Sequence, residues 1–171
     1  MIRYICINGA PRSGKDSFVK LCREHTQFCI NLSTVDCIKE VATKLGWDGT
    51  KTLKNRKFLS DLKDLLDSWN DYSYNKVIEE IKSYQIGISK DDNLIIFFIH
   101  AREPKDIQKF KDALGAITLF ISNKKAEEAE VSNHADANVK NFNYDYTIEN
   151  NSTLEDLDKE AIKFINKIKE K

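Results

Sequence analysis

The sequence predicts an α/β fold, a five-stranded parallel sheet with helices on both faces, and three observations carry that prediction. Apolar residues recur at Ile2, Tyr4, Ile5 and Ile7, then give way to a glycine loop and a segment of helical spacing. Residues 94–99, Leu-Ile-Ile-Phe-Phe-Ile, are all apolar, the composition of a parallel strand covered on both faces. Strand-like and helix-like segments otherwise alternate along the chain, as crossover-connected parallel sheets require.

Residues 2–8 are the first strand. Residues 15–26 carry Phe18, Val19 and Cys22 at helical spacing and form the first helix. Phe28, Cys29, Ile30 and Leu32 predict a second strand. Ser33 or Thr34 caps the next helix, with Ser33 and Asp36 at the spacing of a capping box. Val35, Ile38, Val41, Ala42 and Leu45 are its apolar stripe, Gly46 stops it, and residues 47–49 turn the chain. Phe58, Leu62, Leu65, Leu66 and Trp69 repeat the helical period, and Tyr74, Val77, Ile78 and Ile81 repeat it again. Residues 34–85 are therefore helical with no strand between. A plain alternating unit needs one helix there, so the excess reads as a helical insertion beside the sheet.

The apolar strand at 94–99 ends in His100-Ala101-Arg102-Glu103, and Pro104 suits the first turn of a helix with Ile107, Phe110 and Leu114 inside. Residues 116–121 are a further strand. Residues 122–140 are polar and aperiodic, a cover or loop. Tyr144, Tyr146 and Ile148 alternate as the last strand. Leu154, Leu157, Ala161, Phe164, Ile165 and Ile168 line a final amphipathic helix.

Composition bounds the function. A chain of 171 residues is one domain with room for a core. Net charge is zero, which removes any broad electrostatic case for nucleic acid or an anionic membrane, so an anion site must be local. Cys6, Cys22, Cys29 and Cys37 form no C-x-x-C pair and suit a reduced, cytoplasmic setting. No signal-peptide pattern is present, and the longest apolar run is too short to span a bilayer. Monomer and homodimer both stay open.

The sharp motif lies at residues 5–16, Ile-Cys-Ile-Asn-Gly-Ala-Pro-Arg-Ser-Gly-Lys-Asp. Gly9, Gly14 and Lys15 keep the P-loop spacing G-x-x-x-x-G-K between a strand and a helix, the context the motif needs. Gly9 and Gly14 take backbone angles that let the N–H groups of the Ala10-Pro11-Arg12-Ser13 loop, Pro11 having none, turn inward. The helix start adds free amides and a positive dipole end. Lys15 brings an ammonium to the transferring phosphate. Asp16 stands where Ser or Thr is usual, and Ser17 follows it within reach of the α-phosphate.

With these residues the chain resembles the phage-type deoxynucleoside monophosphate kinases, whose Gly-Lys-Asp P-loop is shared with animal-type phosphomevalonate kinases. Besides Gly14-Lys15-Asp16, the segment from Asp36 through Lys39, Leu45-Gly46-Trp47-Asp48-Gly49 and Arg56 resembles their acceptor-side region. His100-Ala101-Arg102-Glu103 is similar to their Asp-x-Arg element, and residues 144–150 to the closing strand of many nucleoside monophosphate kinases. The resemblance implies a three-layer P-loop kinase fold of strand order 2-3-1-4-5, ATP as donor, and Mg²⁺ held directly or through water by Asp16. It also implies an acceptor-binding insertion at 34–85 and a lid at 122–140. Two departures stand out: His100 replaces the usual Asp, and the lid holds Lys124 and Lys125 but no arginine.

The remaining candidates follow from position. Arg12 lies in the phosphate loop and Arg102 just past a strand's carboxyl end, where ligands of such sheets bind. A planar guanidinium suits phosphate at both. Lys15, Arg12 and Arg102 are therefore the catalytic candidates. Arg56 either holds an acceptor phosphate from the insertion or is a surface helix charge between Lys54 and Lys57. Asp36 either orients an acceptor group or caps a helix. The ATP base is placed near the turn at 150–151, with Asn150 in contact. His100 binds a phosphate or water, or is a satisfied core histidine. His25 and His134 lack ligand-spaced partners for zinc. Trp47 and Trp69 read as packing residues, and Tyr72, Tyr74 and Tyr84 as helix packing or rim. The function expected is ATP-dependent phosphotransfer to a small phosphorylated acceptor, a nucleoside or deoxynucleoside monophosphate first. A kinase for another phosphorylated metabolite, such as phosphomevalonate, and a non-catalytic nucleotide switch are the rivals.

Overall fold

The computed structural model describes residues 1–87, 94–128 and 138–170. Five parallel strands form one sheet in the order β2-β3-β1-β4-β5. They are β1 (Ile2–Asn8), β2 (Phe28–Ser33), β3 (Ile95–His100), β4 (Ile117–Ser122) and β5 (Tyr146–Glu149). The helices are α1 (Lys15–Glu24), α2 (Asp36–Lys44), α3 (Leu53–Asn70), α4 (Tyr72–Ile86), α5 (Pro104–Leu114), α6 (Lys124–Glu127) and α7 (Leu154–Lys169). The fold class and strand order expected from the sequence are therefore observed.

Two apolar layers explain why the strands read as they do. On one face Phe18 and Cys22 of α1 and Phe164, Ile165 and Ile168 of α7 pack on Ile5, Ile96 and Phe98. On the other, Val77 and Ile81 of α4 and Ile107 and Phe110 of α5 pack on Cys6, Phe97 and Ile99. β3 sits between β2 and β1 and every residue but His100 is buried, which is why its sequence shows no polar alternation. Register aligns Ser33, Ile7 and His100, and Asn8 with Phe120, so the carboxyl ends of four strands meet along one edge.

The stretch at 34–85 is helical as expected, apart from the turn around Gly46 and Gly49. Its details differ from the sequence expectation in two places. Ser33 and Asp36 form no capping box: α2 starts at Asp36 without a side-chain cap, and Ser33 Oγ accepts from Val35 N at 3.4 Å. Thr34 instead donates to the His100 carbonyl at 3.2 Å, because the chain here is pinned to the neighbouring strand end. The apolar period of α3 is real, but Trp69 is 83% exposed and Leu65 is exposed too. Trp69 is therefore no packing residue. Charge also ties α3 to its neighbours. Lys63 Nζ donates to Asp67 at 2.5 Å and to Asp106 of α5 at 2.7 Å, and Asp67 accepts from Ser73 N and Oγ at the start of α4.

Tyr74 and Tyr84 pack as expected, on Phe110 and Phe97. The segment at 122–140 holds α6 and a 3-10 turn at Asn138–Lys140; residues 129–137, the middle of the expected lid, lie outside the described residues. Among the described residues no helix is long and apolar enough to cross a membrane.

Candidate functional site

The loop between β1 and α1 closes on itself. Lys15 Nζ donates to the Gly9 carbonyl at 2.7 Å and to the Ala10 carbonyl at 2.8 Å. Ser13 N donates to Ala10 O at 3.1 Å. Gly14 caps α1 with φ 98°, and no side chain caps that helix, so its first-turn amides stay available to an anion. Arg12 sits at the exposed tip with φ 65°, a left-handed backbone uncommon outside glycine, and such conformations cluster at ligand-binding loops. Ser13 is fully buried, and its hydroxyl has no hydrogen-bond partner among the described residues. These features fit phosphate: a helix start without a side-chain cap, an ammonium resting on the loop's own carbonyls, and a buried hydroxyl with no partner among the described residues.

The glycines are fixed by close approach as well as by backbone angle. A Cβ on Gly9 would lie 2.4 Å from the Ile121 carbonyl oxygen. A Cβ on Gly14 would lie 2.2 Å from the Asn150 amide nitrogen. Asn150, expected near the ATP base, has its side chain on the phosphate loop: Nδ2 donates to Ser13 O at 2.8 Å. Its backbone is fixed to β4 by Asn150 N donating to Ser122 O at 2.7 Å.

At the end of β3, His100 Nε2 lies 2.8 Å from Asn31 Oδ1 and 3.9 Å from Asp16 Oδ1. Asn31 offers a carbonyl oxygen, so Nε2 carries the hydrogen. Burial pushes the imidazole's pKa from 6.5 down to about 4, against the pull of Asp16 and with help from Lys15. His100 is neutral at pH 7 and helps position Asn31 rather than carrying charge. Asp16 is 93% exposed at the helix start, with its carboxylate open to a cation. No group of three or more metal-ligating side chains occurs among the described residues. A carboxylate that shares Mg²⁺ with phosphate and water oxygens needs no such group.

Arg102 is exposed just past β3, and its backbone carbonyl accepts from Asn8 Nδ2 at 3.1 Å. Ser17 is exposed in the first turn of α1. Arg56 lies in the first turn of α3, where its Nε donates to Lys51 O at 3.2 Å. Asp36 is exposed at the start of α2, paired with Lys39 at 2.6 Å, and near enough to influence His100. The loop residues, Asp16, His100 and Arg102 thus share the strand-end edge, while Arg56 stands on the insertion. Sequence reasoning missed Asn8 and Tyr144, which brace the loop from below. The available signal was a polar Asn closing an apolar strand.

A glycine loop closed around a lysine, between the middle strand of a 2-3-1-4-5 sheet and its following helix, defines the P-loop kinase fold class. Solved structures agree. The chain is similar to dephospho-CoA kinase from Campylobacter jejuni, with TM-score 0.56 and 13% identity over 99% of this chain and 98% of that one. It is equally similar to a gluconokinase from Sinorhizobium meliloti 1021, with TM-score 0.56 and 13% identity over 98% and 94%. Shikimate kinase from Acinetobacter baumannii in complex with shikimate matches at TM-score 0.50 and 13% identity over 100% and 97%. At this identity the likeness is one of fold. No family model matches the chain, and no curated protein matches it by sequence.

Proposed function

We propose that the protein is an ATP-dependent phosphotransferase acting on a small acceptor. The observation that carries the reading is Lys15, whose ammonium rests on the Gly9 and Ala10 carbonyls beside the uncapped start of α1. A nucleotide's terminal phosphates would take over that ammonium and the uncapped amides of the first turn of α1. The base would lie beyond the turn at 150–151. Asp16 would hold Mg²⁺ together with phosphate and water oxygens, and the metal supplies neutralisation of the phosphate charge.

The γ-phosphoryl group passes in line to an acceptor oxygen, so the bond to the β-phosphate oxygen breaks as the new one forms. No protein nucleophile is needed. Lys15 and Arg12 stabilise charge on the transferring group, which is the main task in this chemistry. The 34–85 insertion would present the acceptor, and the 122–140 segment would exclude water.

A phosphorylated acceptor, a nucleoside or deoxynucleoside monophosphate first and a metabolite such as phosphomevalonate second, is favoured by Arg102. That guanidinium follows the carboxyl end of β3, and its charge reaches His100. Arg56 would add a second cation from α3. The test is incubation with ATP, Mg²⁺ and pooled acceptors, with products identified by mass. A phosphorylated product formed by the native chain and absent with Lys15→Ala supports the reading. Nucleotide binding with no product from any pool would favour a non-catalytic switch.

A further inference from the structure

α3, the longest helix among the described residues, buries none of its 18 residues, although α1, α2, α4, α5 and α7 all bury apolar ones. Its inner side is settled, because Lys63 reaches Asp106 of α5 at 2.7 Å. Its outer side carries Phe58, Leu62, Leu65 and Trp69, which recur at steps of four, three and four and so form one stripe. Leu65 is 65% exposed and Trp69 83%, and Phe58 and Leu62 are partly exposed. A contiguous apolar stripe left in water marks an interaction surface.

The charges beside the stripe identify what covers it. Lys54, Lys57, Asp61 and Asp64 follow one another at steps of three, four and three, a single row along one flank of the stripe. The row reads plus, plus, minus, minus, and that order is complementary to its own reversal. In an antiparallel pair related by a twofold axis, each flank faces its own counterpart. Lys54 and Lys57 of one copy then meet Asp64 and Asp61 of the other, and the reverse holds across the axis. The same order opposes the helix dipole. α1, α2, α5 and α7 each place an acid in the first turn and a base in the last, whereas α3 does neither. An antiparallel copy of α3 reverses that field as well as that charge order. Within one chain the row is little satisfied. Lys54 has no hydrogen bond or ion pair among the described residues. Lys57 pairs with Asp61 at 2.7 Å, but both side chains are more than half exposed, and such a pair contributes little.

We propose that α3 is a homodimer interface. Two copies of the chain pair antiparallel about a twofold axis near the middle of α3, stripe on stripe, with the lysine half of each helix on the aspartate half of the other. The inference goes beyond the kinase reading and does not depend on it. One helix per protomer makes a smaller interface than the roughly 800 Å² per partner of a standard complex, so the dimer forms in the micromolar range.

The experiment measures the mass of the full chain by sedimentation equilibrium at low salt, from low micromolar to several hundred micromolar. The expected result is a rise from monomer to dimer mass. Trp69→Ser raises the dissociation constant about tenfold or more, and added salt raises it too. Lys54→Glu/Lys57→Glu and Asp61→Lys/Asp64→Lys each stay monomeric alone, and an equimolar mixture of the two forms a heterodimer. Trp69→Ser and the lysine variant change only exposed side chains, so they decide the matter even if the aspartate variant unfolds. A native chain that stays monomeric throughout overturns the inference and leaves the stripe to a different partner. A dimer that Trp69→Ser and the lysine variant leave unchanged overturns it as well, by placing the interface elsewhere. Folded charge variants that do not associate when mixed contradict the antiparallel pairing.

Discussion

Asn8 and Tyr144 meet at the carboxyl edge of the sheet, amide nitrogen to phenol oxygen at 2.7 Å. Asn8 also accepts from Gly9 N at 2.8 Å and donates to Arg102 O at 3.1 Å, and the Tyr144 hydroxyl donates to Val139 O at 2.7 Å. One buried amide therefore fixes the start of the phosphate loop to the turn after β3 and to the approach to β5. Tyr144→Phe should cost about 1–2 kcal/mol, because it strips Val139 O of its donor and Asn8 of an acceptor. It should also weaken ATP binding as the loop's first residue loosens. Urea denaturation and nucleotide titration check both. If neither moves, the ring's packing on Phe120 and Phe142 is its whole role.

The two loop glycines should fail differently. An added methyl at Gly9 meets backbone, the Ile121 carbonyl, whereas at Gly14 it meets the end of the Asn150 side chain. Gly9→Ala should therefore be the more destabilising. Gly14→Ala and Asn150→Ala should be non-additive, the pair costing less than the sum by about 1 kcal/mol. Strict additivity in a double-mutant cycle would mean the Asn150 contact does not matter.

Lys63 is a half-buried cation between two carboxylates. Burial alone would lower its pKa, but Asp106 and Asp67 raise it. Burial likewise pushes Asp67 up, and Lys63 with the Ser73 N–H and hydroxyl more than reverses it, leaving it below its ordinary 3.8. Asp67's contribution is therefore present above pH 3.8 and lost as pH falls through its lowered folded value. Lys63→Met should cost about 3–5 kcal/mol by stranding both carboxylates. Lys63→Met with Asp106→Leu should recover part of that, with Asp67 kept because it also accepts from Ser73 N and Oγ. Chemical denaturation of the set decides; a harmless Lys63→Met would mean the cluster is solvated.

The fold was legible where information is local. The P-loop spacing, the all-apolar β3 and the stripe of α7 each sit in one short segment, so periodicity and motif reveal them. Partners far apart in sequence leave no such trace. Lys63 and Asp106 are 43 residues apart, and Asn150 and Ser13 are 137 apart. Trp69 misled because a helical period records amphipathicity without saying whether a partner covers it.

His100 makes the metal-free, nucleotide-free protein sensitive to mild acid. Its folded pKa of about 4 lies below the ordinary 6.5, so the unfolded chain binds the proton first. Stability should be complete above pH 6.5 and fall by about 3 kcal/mol between pH 6.5 and 4. His100→Gln should flatten that window while leaving the steeper loss below it. Denaturation midpoints at pH 7, 5.5 and 4.5 report this, and parallel curves for the two proteins would show that His100 is solvated.

The most direct test of the account is the rate of ATP consumption with Mg²⁺, with and without each acceptor, for the native chain and Lys15→Ala. The account predicts that one small acceptor raises the rate about a hundredfold or more over water, and that Lys15→Ala loses nearly all of it with the fold intact. Equal turnover in Lys15→Ala, or a native rate that no acceptor changes, would contradict phosphotransfer at this loop.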